Sequence, residues 1–389
     1  MLNSFTMHPL ARTPEEWSQG AIALGGRAFH GKQIFRWIQA RGITDPSLMT
    51  DLPAALRAHL VEEGVAMPAE IASEKRSSDD TRKLLVRLKD GVSVETVLIP
   101  ELPRRRGYLP SPFEDAEAAQ SEDEEEGVEE EEQSARRVTQ CISTQVGCAM
   151  GCVFCASGVA GLKRNLEPEE IVAQVILGRQ RLDEGEQLRN VVYMGMGEPL
   201  ANYDATVRSV RLLTHPDGIG LSTRKVTIST SGLVPQIQKL GEDFEGQIGL
   251  AVSMHAADDE TRTRLMPINK KYPLAELIAV LRAYPLPKRR RITIEYTLIE
   301  GKNTSVEDAK KLVKILRGIP VKVNLIPMNP IEASTLGPPK MDGVLAFQRT
   351  IVQAGLSCFI RRQRGDDVAA ACGQLALAGA RPKVRVNRS

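Results

Sequence analysis

The chain has 389 residues, 42% of them apolar, and a formal net charge of +2 from 51 basic and 49 acidic side chains. That length suits a barrel-sized catalytic domain with a smaller one beside it. No stretch reaches the roughly 18 uninterrupted apolar residues of a membrane span, and residues 1–13 lack a basic head followed by an apolar run. A cytosolic protein with no membrane partner is expected.

Charge is unevenly spread. Residues 114–132 hold 12 acids and no base, and the rest of the chain sets 51 bases against 37 acids, a balance of +14. Basic clusters at 104–106, 288–291 and 381–388 suit a polyanionic partner, although any one of them alone reads as ordinary solubilising surface.

In chain order, residues 13–64 read as a small helical bundle. Thr13, Pro14 at the first helical position and Glu16 make a capping box, and Ile34, Trp37 and Ile38 form an apolar stripe at helical spacing. Two strand-like runs, 82–88 and 92–100, follow, joined by Lys89, Asp90 and Gly91 as a tight turn. Residues 101–137, Pro-rich and then acidic, have too little apolar content to offset the entropy of ordering and are expected to be a disordered insertion.

From about residue 138, β-branched runs alternate with helical patterns. Strands are expected at 139–143, 190–194, 225–230, 248–254, 291–298, 322–326 and 356–361, with helices at 168–182, 204–214, 274–284, 305–316 and 344–354 among those between them. Such alternation predicts an α/β fold with a parallel sheet and helical crossovers. Six or so units suggest an incomplete (β/α)6 barrel, with chemistry at the carboxyl ends of its strands. The expected division is a helical accessory domain at 1–68, a β-hairpin linker at 69–100, the acidic insertion at 101–137, the catalytic barrel at 138–376 and a basic tail at 377–389.

Three of the six cysteines crowd into one loop as Cys148-Ala-Met-Gly-Cys152-Val-Phe-Cys155, too tight for a framework of structural disulfides. Soft thiolates select zinc or iron-sulfur clusters. A structural zinc site closes with four ligands, and no fourth Cys or His lies nearby in the sequence. Three thiolates on a four-iron cluster leave one iron open to a ligand. This spacing, with an aromatic residue before the last Cys, resembles the radical S-adenosylmethionine (SAM) superfamily, which implies a [4Fe-4S] cluster held by Cys148, Cys152 and Cys155 and SAM bound at the open iron.

Further motifs stand where that superfamily would place SAM contacts. Met194-Gly-Met-Gly-Glu198-Pro199 follows a strand, with Gly195 and Gly197 allowing close backbone approach and Glu198 placed to receive an ammonium group. Ser229 ends the next strand, Ser253-Met254-His255 the one after, and Asn329 the Asn-Leu-Ile-Pro-Met-Asn run. Singly, each reads as a capping serine or a core histidine. Their shared position in a barrel points to ligand binding.

Cys141 stands seven residues before Cys148, and Cys372 lies in Gly365-Asp-Asp-Val-Ala-Ala-Ala-Cys372-Gly-Gln-Leu. With the cysteine loop, Met-Gly-Met-Gly-Glu-Pro-Leu, Ser-Thr-Ser-Gly and Asn-Leu-Ile-Pro-Met-Asn-Pro, these motifs resemble the RlmN family over nearly the whole chain. The resemblance implies methylation of carbon 2 of an adenine in 23S rRNA, at the peptidyl transferase centre, and of the adenine 3′ to the anticodon in tRNA. Two SAM molecules per turnover and an electron donor such as flavodoxin are implied with it. Carbon 2 lies between two ring nitrogens and is electron-poor, so it cannot attack a methyl sulfonium by displacement. A carrier is needed. By resemblance, Cys372 takes a methyl group from one SAM. A radical from a second SAM removes hydrogen from that group, and the methylene adds to carbon 2. Glu95, in Val94-Glu95-Thr96-Val97, removes the carbon-2 proton, and Cys141 attacks the sulfur of Cys372, giving a disulfide that cytosolic thiols reduce.

From residues alone, Glu95 reads as an exposed position on an edge strand, and Cys141 and Cys372 as buried small hydrophobes. Cys358, in an apolar strand and matching no motif, is expected to be structural. The insertion departs from the family, which has a short link between Glu95 and Cys141. Two rival readings are a Cfr-type enzyme acting on carbon 8 of the same adenine, and a non-catalytic iron-sulfur RNA-binding factor. Nothing in the sequence suggests more than a monomer.

Overall fold

The structure, a computed structural model, describes residues 7–102, 135–332 and 334–375. The expected insertion lies outside the described residues except at its two ends. So do the basic cluster at 104–106, the one at 381–388 and the tail at 377–389 that contains it.

Seven parallel strands carry the fold: β4 (Arg136–Cys141), β7 (Glu186–Tyr193), β8 (Val226–Thr230), β9 (Gly249–Ser253), β10 (Ile292–Leu298), β11 (Val321–Pro327) and β12 (Ser357–Ile360). Each pairs in parallel with the next through a helical crossover. β12 ends the sheet, so the expected barrel is open. Alternation along β10 shows how it fills: Ile292, Ile294, Tyr296 and Leu298 are buried in the core, while Glu295 and Thr297 face the cavity described below.

At the other edge the predicted hairpin is one strand longer. β1 (Ala69–Arg76) pairs antiparallel with β2 (Arg82–Leu88), β2 with β3 (Ser93–Pro100), and β3 with β4, making one ten-stranded sheet. β1 was not expected, because Ala-Glu-Ile-Ala-Ser-Glu-Lys-Arg shows little β-branched alternation and most of its residues are exposed; pairing with β2 defines it. The Lys89-Asp90-Gly91 turn forms as the spacing predicts, with Gly91 at φ 81° and the Asp90 carboxylate accepting from the Val92 amide at 3.1 Å.

The β3–β4 ladder matters for the insertion. Val97 pairs with Cys141 and Pro100 with Val138, and the Glu101 amide donates to the Arg137 carbonyl at 2.8 Å. Entry and exit of the segment after residue 102 are therefore neighbours at the amino end of β4. Cys141 lies at the opposite, carboxyl end, so the insertion is rooted a strand's length away from the site.

The N-terminal helices α1 (Pro14–Ala23), α2 (Ala28–Phe35) and α3 (Ala54–Glu63) pack on the outside of this sheet's helical layer. The capping box forms as expected: the Thr13 hydroxyl accepts from the Glu16 amide at 3.3 Å and the Glu16 carboxylate from the Thr13 amide at 2.8 Å. The same carboxylate pairs with Arg208 on the helix Tyr203–Thr214, and Arg208 also donates to the Ala11 carbonyl at 2.7 Å. Helix Pro168–Arg179 lies between the module and the sheet, which is why its hydrophobic residues bury on all sides.

Candidate active site

Just beyond β4 the short pair β5 (Gln145–Val146) and β6 (Arg164–Asn165) clasps the loop that holds the three clustered cysteines. Backbone bonds fix that loop independently of the thiols: Cys148 N–H donates to Gly161 at 3.2 Å, Val153 N–H to Leu265 at 3.1 Å and Ala156 N–H to Gly373 at 2.8 Å. Cys148, Cys152 and Cys155 all line one cavity of about 160 Å³ at the carboxyl ends of the strands. Burial pushes all three thiols up, Cys148 to about 12, and the neighbouring sulfurs add to the shift. Such thiols ionise when a cation offsets the charge. No three His, Cys, Asp or Glu side chains among the described residues stand close enough to share a single metal ion. Three thiols lining one cavity fit a multi-iron cluster, which distributes its ligands over separate irons.

The same cavity takes in most of the other expected ligand contacts. Gly197, Glu198, Ser229, Ser253, His255 and Asn329 all line the cavity. Met254 does not: its side chain is buried in the core, and its carbonyl accepts from Arg262 at 3.1 Å. The two glycines answer first to the chain itself. A Cβ at Gly195 would lie 2.7 Å from the Ile142 backbone, and one at Gly197 (φ 108°) 2.6 Å from the Gln145 side chain. Glu198 is buried, accepts from the amides of Leu200 at 3.1 Å and Ser231 at 2.7 Å, and has its carboxyl raised by burial against those bonds.

His255 occupies the left-handed region at φ 54° and packs edge-on against Phe154, their centroids 4.8 Å apart. Its Nδ1 accepts from the Thr297 amide at 2.9 Å, which leaves the proton on Nε2, and burial lowers its pKa to about 3. It is therefore a neutral donor at working pH. One buried atom on a lining residue, Glu295 Oε2, has no hydrogen-bond partner, as expected of a wall built for a polar ligand.

Cys141 and Cys372 are distant in sequence and close in space. Burial pushes the Cys141 thiol up to about 12, with the nearby Cys372 sulfur adding to the shift and Arg361 opposing it. Both are free thiols, and Cys372 lines the cavity. The Cys372 loop is held by its backbone: Asn329 donates to the Cys372 carbonyl at 2.8 Å, and Ser157 to Leu375 at 2.6 Å. Glu95 sits on β3, one strand from Cys141, and is not among the cavity-lining residues. It is mostly buried and paired with Lys83 at 3.0 Å, unlike the exposed edge position that alternation alone suggests. Cys358 is buried in β12, and its carbonyl accepts from Gln348 at 3.0 Å.

Sequence reading missed Arg262, Glu295, Arg361 and Lys83. Arg262 is fully buried and donates to the carbonyls of Met254 at 3.1 Å, Ser231 at 2.7 Å and Ser253 at 3.2 Å, and to Asn269 Oδ1 at 2.9 Å. It ties together the ends of β8 and β9, yet lies in an Asp-Glu-Thr-Arg-Thr-Arg stretch that reads as solvent-facing. Arg262→Met would leave those acceptors unpaired, and chemical denaturation is expected to show a loss of about 3 kcal/mol or more. A change under about 1 kcal/mol would show that Arg262 is not the tie.

The family described as "Radical SAM superfamily" matches residues 142–324, and "Ribosomal RNA large subunit methyltransferase N-terminal domain" matches residues 14–65. A "Dual-specificity RNA methyltransferase RlmN" of Sorangium cellulosum is 63% identical over 99% of both chains. A protein of the same description from Syntrophobacter fumaroxidans is 44% identical over 93% of this chain and 94% of its own. The crystal structure of a radical SAM methyltransferase from Sphaerobacter thermophilus superposes with a TM-score of 0.81 at 39% identity, covering 95% of this chain and 99% of that one.

Proposed function

We propose that this chain, which belongs to the RlmN family of radical SAM enzymes, methylates carbon 2 of adenine in 23S rRNA and in tRNA through a methylated cysteine and a covalent RNA adduct. The relatives' shared description as dual-specificity RNA methyltransferases supports the RNA substrates. The observation that carries the mechanism is that Cys372 lines the cavity that three further cysteines line and that its sulfur is felt electrostatically by Cys141. Binding RNA alone would need no such pair.

A [4Fe-4S] cluster on Cys148, Cys152 and Cys155, with SAM against Glu198, Ser229, Ser253, His255 and Asn329, would supply the methyl group and the radical chemistry. The protein's own groups do the rest. Cys372 carries the methyl carbon to carbon 2 of the base. Glu95 takes the carbon-2 proton, and the unpaired electron of the RNA adduct returns to the cluster that would be bound there, leaving a closed-shell thioether. Cys141 then attacks the Cys372 sulfur: a sulfur–sulfur bond forms, the sulfur–carbon bond breaks, and the departing carbon keeps the electron pair and gains a proton. Cytosolic thiols return the disulfide to two thiols.

The N-terminal module and the basic surface are assigned to holding folded RNA by shape. The enzyme is proposed to work as a cytosolic monomer supplied by a flavodoxin-like electron donor.

Nucleoside mass spectrometry tests the reading on unmodified 23S rRNA and tRNA, each incubated anaerobically with reconstituted enzyme, SAM and reductant. 2-Methyladenosine is expected in both. Its appearance as 8-methyladenosine would move the chain to the Cfr type of chemistry, and SAM cleavage with no methyladenosine in either RNA would overturn the substrates proposed.

A further inference from the structure

We propose that Lys83 is a positioning residue for this reaction, one ammonium tying the proton-accepting carboxylate of Glu95 to the loop that carries Cys372. The inference rests on the roles proposed above for Glu95 and Cys372.

The β2–β3 register pairs Lys83 with Val97 and Leu85 with Glu95, which makes Lys83 and Glu95 diagonal neighbours on one face of the sheet. Lys83 Nζ lies 3.0 Å from Glu95 Oε1, and the two side chains are only 11% and 13% exposed. The same Nζ donates to the Ala369 carbonyl at 3.0 Å, three residues before Cys372. Ala369 sits at φ 51°, a conformation a non-glycine residue keeps only where its surroundings hold it.

Other bonds fasten the first part of this loop to the β1–β2 turn. Arg364 donates to Asp79 at 2.8 Å, the Gly365 amide to Asp79 at 3.1 Å, and the Ser78 amide to Asp367 at 3.0 Å. Lys83 adds the bond at Ala369, close to the working cysteine, and the same Nζ is paired with the carboxylate of the base. An ammonium has three donors, so one group serves both acceptors without distortion. The geometry thus sets the carboxylate and the sulfur relative to each other, and not only each to the sheet. Shifts of about 1 Å between reacting groups cost on the order of a hundredfold in rate.

The test is a single-turnover assay on full-length reconstituted enzyme with tRNA, comparing Lys83→Met, Lys83→Arg and Glu95→Ala. Protein-linked RNA on denaturing gels is measured against released 2-methyladenosine, and Cys372 methylation is read by peptide mass spectrometry. Lys83→Met is expected to keep Cys372 methylated and to raise the ratio of linked RNA to product on the order of tenfold or more, as Glu95→Ala does, with Lys83→Arg restoring most of the product. A merely structural lysine would give loss of Cys372 methylation, or a parallel fall in linked RNA and product, and either overturns the proposal. So does unchanged turnover. If Glu95→Ala itself fails to accumulate linked RNA, the assignment of Glu95 as the base is what has failed, and the role of Lys83 falls with it.

Discussion

Cys372→Ala is expected to abolish methyladenosine formation, a loss on the order of 10⁴-fold or more, while leaving the iron-sulfur absorbance and SAM binding in place. The size of the loss follows from the lack of a substitute. Cys148, Cys152 and Cys155 line the wall where the cluster is proposed, Cys141 is buried at the end of β4, and Cys358 is buried in β12. The survival of everything else follows from how the loop is held. Asn329 binds the Cys372 carbonyl, Ala156 the Gly373 carbonyl and Ser157 the Leu375 carbonyl, so removing one sulfur atom leaves these bonds intact. Nucleoside mass spectrometry beside the visible spectrum of the same sample reads both halves. Wild-type levels of 2-methyladenosine from this variant would eliminate the carrier role and require a direct transfer to carbon 2. Loss of absorbance together with product would instead make Cys372 a support of the cluster.

The parallel sheet was legible because it is written locally. β-Branched runs marked all seven strands of the parallel set to within three or four residues at either end, and Thr13 and Glu16 announced the first helix by their spacing. The cysteine loop was legible for the same reason, since its three cysteines fall within eight residues of one another. Lys83 and Arg262 were not, and their cases show why. Each looks like a surface charge in its own segment, and each acquires its role from acceptors far along the chain: Ala369 for Lys83, Ser231 and Ser253 for Arg262. β1 was missed because its sequence carries little preference and its pairing partner supplies the order. Gly195 and Gly197 were read as letting the backbone approach a ligand, and the groups that approach them in the structure are the Ile142 backbone and the Gln145 side chain. Met254, read as a contact beside Ser253 and His255, has its side chain in the core, while its two neighbours line the cavity.

Cys152→Ser is expected to lose most of the bound iron and acid-labile sulfide and, with them, all SAM cleavage. Two thiolates of the loop remain, too few to hold the cluster as three do. Burial already pushes the thiols of this loop up, so each must gain its charge from the bound irons, and a hydroxyl at this position cannot match a soft thiolate for iron. The fold itself is expected to persist. The loop's backbone bonds to Gly161, Leu265 and Gly373 do not involve Cys152 sulfur, and β5 and β6 still pair across its neck. Cys358→Ala supplies the contrast, because it removes a buried thiol that lines no part of the cavity and should keep its iron. Iron and sulfide analysis of the two variants beside the wild type, with circular dichroism on each, decides the matter. Equal iron in Cys152→Ser and wild type would remove Cys152 from the ligand set and with it the open-iron arrangement on which SAM binding at this site depends.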